Sequence, residues 1–131
     1  MKWIAAYVAA GAAFLALDAI WLRWAGPNLY RPAIGSLLAE NFRLAPAAIF
    51  YIAYVAAIVW FAVRASLTGG LSAALLNGAM LGAIAYATYD LTNQATMKVW
   101  PVHITLLDIA WGGFVTAVAA GAGWFALSKM G

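Results

Sequence analysis

Residues 71–94 read "LSAALLNGAMLGAIAYATYDLTNQ". From Leu71 to Ala87 the stretch is almost wholly apolar or small, and with its polar end it reaches the ~20 residues a helix needs to cross a bilayer. Asp90 stands near that end, where a span should still be apolar. Composition decides how the stretch is read. Of 131 residues, 67% are hydrophobic and 8% charged, against about 25% charged in a soluble domain. Mean hydropathy is +0.91. So few polar groups cannot cover a water-facing surface, and the solvent must be lipid.

Outward from this stretch, three further runs have the same length and character. The sequence predicts an all-α integral membrane protein of one domain, with four transmembrane helices near residues 3–24, 44–63, 71–94 and 104–127. Lys2 before an apolar run resembles a signal peptide, but the run extends to Trp24 and reads as a retained first span. Trp3, Trp24, Trp60, Trp100 and Trp124 fall near span ends, as interfacial anchors do. Gly78 and Gly82 make a small-xxx-small pair, and Gly112, Gly113, Gly121 and Gly123 thin the fourth helix for close packing. Two connections are short, at residues 64–70 and 95–103. The first, residues 25–43, is long. "GPNLYRP" (26–32) opens it with turn chemistry. Ile34, Leu37, Leu38 and Phe42 then recur at helical spacing among Arg31, Glu40 and Arg43, which predicts a short interfacial helix within residues 32–43.

Only four residues are acidic, and three of them lie in apolar runs: Asp18 in "LDAIW" (17–21), Asp90, and Asp108 in "LDIAW" (107–111). With the N-terminus on one side, four spans place all three near the opposite face, roughly 6 to 12 Å below the surface at 1.5 Å per residue. A carboxylate at a helix centre costs about 2.5–3.5 kcal/mol on insertion scales. The three should therefore turn inward and find partners. Candidates are Arg23, Arg31, Thr88, Asn93, Thr105 and the hydroxyls of Tyr30, Tyr86 and Tyr89. Asp90 and Asn93, three apart, should share an inner face. Trp111, three after Asp108, should form a wall beneath the acids. Three ionised carboxylates in low dielectric repel, so the site must hold a proton, an arginine or a cation. A purely structural cluster that fixes helix register is the alternative to a functional site.

"YDLTNQAT" (89–96), the following "WP" (100–101), "LDIAWG" (107–112), "LDAIWL" (17–22) and "LYRPAIG" (29–35) together resemble a bacterial family catalogued as domain of unknown function twenty-one seventy-seven. The resemblance covers nearly the whole chain. It implies a four-helix protein of the bacterial inner membrane and no known activity. The company such genes keep with those of fatty-acid-modifying enzymes points toward lipid.

Three functions are compatible with these residues. The first is a ligand site under the first loop, in which Asp18, Asp90, Asn93, Asp108, Arg23, Arg31, Tyr89 and Trp111 bind or process a lipid or acyl-type ligand. The second is a small proton-coupled transporter acting as a dimer, with Asp18 carrying the proton; its weakness is that transporter sites lie near the midplane. The third is an accessory subunit of a membrane complex. Expected partners are membrane lipid and a lipid or small-molecule ligand, with a homodimer or larger membrane complex as candidate assemblies. The basic residues are scattered singly, which excludes a nucleic-acid surface. No complete catalytic set is visible, and His103, the sole histidine, reads as a surface group. The oxygens of three aspartates would suit Mg²⁺, but neither metal nor cofactor is expected.

Overall fold

The computed structural model describes residues 1–37 and 44–130. Four helices long and apolar enough to cross a membrane make up nearly all of it: α1 (Lys2–Ile34), α2 (Ala45–Ser66), α3 (Gly70–Thr96) and α4 (Val102–Met130). Each is longer than the span expected from hydropathy, because helices continue past the apolar zone into residues that transfer scales do not score as membrane.

The largest difference is at "GPNLYRP". No turn forms there. Gly26–Tyr30 is a π-helical segment, and Arg31 N–H donates to the Gly26 carbonyl five residues back. Helix resumes over Arg31–Ile34 and tightens to 3₁₀ over Gly35–Leu37. Pro27 has no N–H to give, and π turns are a usual accommodation where the α ladder is interrupted. Continuing the helix keeps backbone groups paired within the segment, which a loop could not do beside lipid. The expected interfacial helix is thus not found over 32–37, which extends α1, and residues 38–43 lie outside the described residues. A second π segment, Ile58–Val63, interrupts α2. The α2–α3 turn ends at Gly70, whose φ of 80° only glycine adopts without strain.

Helix α4 is the hub. In its most apolar window 56% of residues are buried inside the bundle, against 22–28% in the other three. It packs against α1 and α3, while the Ile58–Val63 part of α2 touches all three other helices. Small residues make this possible. A Cβ on Gly78 would lie 2.7 Å from the Thr116 carbonyl oxygen and 2.8 Å from the Ala117 Cα. Gly82 faces the Gly112 backbone just as closely, and Gly112 lies under the Tyr86 ring. Outward, Ile4, Val8, Ile49, Phe61, Ile84 and Leu106 are exposed, as a lipid-facing surface requires.

The buried stripes recur every four residues. In α1 they run Ala6, Ala10, Phe14, Asp18. In α3 they run Ala74, Gly78, Gly82, Tyr86, Asp90. In α4, Ile104, Asp108, Gly112, Thr116 and Ala120 are all buried. Each aspartate occupies a core position of its own helix, and the three are 7%, 0% and 5% exposed in chain order.

Candidate functional site

Asp18 and Asp108 line a cavity of about 430 Å³ together with Trp21, Leu22 and Tyr30 of α1, Phe50 and Tyr51 of α2, Tyr86 and Tyr89 of α3, and Trp111 of α4. All four helices contribute. Of the lining residues, Leu22 and Phe50 are each 48% exposed, and Tyr89 is also exposed.

The partners of the two carboxylates are aromatic. Asp18 accepts from the Tyr51 hydroxyl and, at 3.4 Å, from the Trp111 indole N–H. Asp108 accepts from the hydroxyls of Tyr30 and, at 3.1 Å, Tyr89. Tyr30 in turn accepts from the Trp21 indole at 3.1 Å, so Trp21, Tyr30 and Asp108 form a relay whose members polarise one another. The echo between "LDAIW" and "LDIAW" acquires a meaning here. Trp111, from the second motif, serves the aspartate of the first. Trp21, from the first, serves the aspartate of the second through Tyr30. The two indoles stack with centroids 4.6 Å apart and planes at 9°. A hydrogen bond to a charged group contributes about 1.5–3 kcal/mol, and two per carboxylate match the insertion cost of about 2.5–3.5 kcal/mol. The tyrosines make the burial tolerable without neutralising the charge.

Asp90 does not line the cavity. It neighbours Asp108. Among the described residues neither Asp90 oxygen receives a donor, and the nearby Trp100 indole N–H and the Thr105 hydroxyl are likewise buried without partners. Among the described residues, no three of His, Cys, Asp and Glu gather closely enough to hold a metal ion.

The expected site residues thus divide. Asp18, Asp108, Tyr89 and Trp111 share the cavity, and Asp90 adjoins it. Asn93 is half-buried and outside the lining. Arg23 and Arg31 are exposed and also outside it. The arginine pairing expected for the carboxylates is replaced by tyrosine, because α1 runs on through Ile34 and carries both arginines on its outer side instead of folding them back in a loop. Asp18 lies 16 residues before the end of α1 at Ile34, yet it shares one cavity with Asp108. Asp90 and Asp108 are each only six residues from their own helix ends, at Thr96 and Val102. Trp21, Leu22, Phe50 and Tyr51 were not foreseen at the site. Trp21 could have been found, since it follows Asp18 at the spacing by which Trp111 follows Asp108.

A family model described as "Predicted membrane protein (DUF2177)" matches residues 3–125, and the chain belongs to that family. No curated protein and no solved structure shows a significant match.

Proposed function

We propose that this member of the family binds the polar end of a lipid or acyl-type amphiphile in the Asp18–Asp108 cavity, in the setting of a bacterial inner membrane. The observation that supports the reading is that Asp18 and Asp108 share a cavity with Leu22 and Phe50, apolar lining residues that are each 48% exposed. A headgroup can enter there and reach the carboxylates while its chain stays in the bilayer. The volume of about 430 Å³ suits a headgroup with a short length of chain, at the small end of the usual ~300–1,000 Å³ for ligand pockets. Asp90, just behind, makes the acidic centre a threesome in which only two members meet the ligand.

Native mass spectrometry of the gently extracted protein tests this. A discrete bound amphiphile is expected, lost in a Trp111→Ala variant that keeps its helical signal. Identical heterogeneous lipid adducts on wild type and variant would overturn the reading.

Proton-coupled transport by a dimer is a second reading, favoured by one observation. Asp90 is fully buried without a donor and adjoins Asp108, as a proton-carrying carboxyl would. Proton-driven uptake into proteoliposomes, abolished by Asp90→Asn, would select it over simple binding.

A further inference from the structure

Resting on the binding site just proposed, we infer that its ligand is an organic cation: an alkylated ammonium headgroup carried on an apolar chain. Among the described residues, the lining has two carboxylates and no basic residue. Every donor found to these carboxylates is a neutral tyrosine or tryptophan, so the cavity stays negative after its hydrogen bonds are made. An anionic phosphate or carboxylate headgroup would meet these charges with no cation in the lining to offset them, since Arg23 and Arg31 lie outside it.

The rest of the wall is aromatic. Seven of the ten lining residues carry rings, and aromatic faces attract cations through their quadrupole. The hydroxyls of Tyr30, Tyr51 and Tyr89 and the Trp111 N–H are already committed to Asp18 and Asp108, which leaves Tyr86 as the one lining tyrosine, among the described residues, whose hydroxyl serves neither carboxylate. Beyond that hydroxyl, what remains for a ligand is ring surface and carboxylate charge. A quaternary ammonium uses both and needs no hydrogen bond. It is the ligand class for which aromatic cages are the usual solution.

Calorimetric titration of the intact protein in a nonionic detergent tests the inference with four soluble probes: choline, its neutral carbon isostere dimethylbutanol, ethanolamine and inorganic phosphate. Choline is expected to bind about tenfold or more tightly than the isostere, since the two differ only in charge. Phosphate should not bind. Asp18→Asn and Asp108→Asn should each weaken choline about tenfold; the comparison of probes on wild-type protein stands even if these variants fold poorly. Equal binding of choline and the isostere, binding of phosphate, or no binding of choline would each overturn the cationic ligand. The binding site itself would survive those outcomes if an amphiphile still co-purifies in a Trp111-dependent way, and would fall with them if none does.

Discussion

Tyr30 joins two otherwise separate groups: its hydroxyl donates to Asp108 and accepts from the Trp21 indole. Tyr30→Phe leaves the Trp21 N–H without its acceptor and removes one of the two donors that stabilise Asp108. A buried polar group left unsatisfied costs about 1–3 kcal/mol, so thermal stability in detergent should fall by that order. Tyr30→Phe and Asp108→Ala should be strongly non-additive in a double-mutant cycle, because both remove the same bond. Asp90 carries the opposite expectation. Its oxygens have no donor, and an asparagine of the same shape presents an N–H₂ to Asp108. Asp90→Asn should leave stability unchanged or raise it by up to about 1 kcal/mol. A loss larger than that in a thermal melt would mean that Asp90 is held by a partner this arrangement lacks. At this scale the sequence was partly legible. The three aspartates turn inward because lipid offers them nothing, and that follows from composition alone. Tyr30 and Tyr89 stand among the expected donors and do serve Asp108, whereas Tyr51 does not, because nothing local in the sequence places Tyr51 of α2 beside Asp18 of α1.

Two stretches rich in breakers behave differently at the level of the helix. Gly78 and Gly82 behave as their spacing predicts, with α4 lying directly against them. Gly26, which opens "GPNLYRP", does not mark a turn. It is helical at φ −52° and ψ −63°, and a Cβ there would meet nothing within 4 Å. Turn chemistry is a preference of a chain in water, where released backbone groups find solvent. Beside lipid, the cost of unpaired N–H and C=O groups outweighs it, and the helix absorbs both prolines. The contrast gives a paired prediction. Gly78→Ala drives a methyl into the Thr116 and Ala117 backbone and should cost about 1–3 kcal/mol, as overpacking does. Gly26→Ala should be neutral or stabilising by up to about 1 kcal/mol, the usual helix advantage of alanine. Thermal melts of the two variants check this, and a destabilising Gly26→Ala would restore the turn that the structure replaces with a π segment.

Across the whole molecule, the number and order of helices follow from hydropathy, whereas the cavity does not, because it is made by all four helices at once. Helices α1 and α2 both line it, joined there by the Tyr51–Asp18 hydrogen bond, so a ligand filling the cavity adds contacts to both. A ligand that binds only the folded bundle stabilises it by about 2.7 kcal/mol at a hundredfold excess over Kd. The wild-type melting temperature should therefore rise with added alkyltrimethylammonium amphiphile. Leu22 offers a way to separate this from a general detergent effect. Its side chain lines the cavity and is 48% exposed, so Leu22→Trp costs the core little, while an indole at that position takes up cavity space. The variant should melt like wild type without amphiphile, since surface changes away from packed features usually stay within ±0.5 kcal/mol, and should lose most of the stabilisation when amphiphile is added. An equal rise in both proteins would mean that the amphiphile acts on the outer surface of the bundle and not within the cavity.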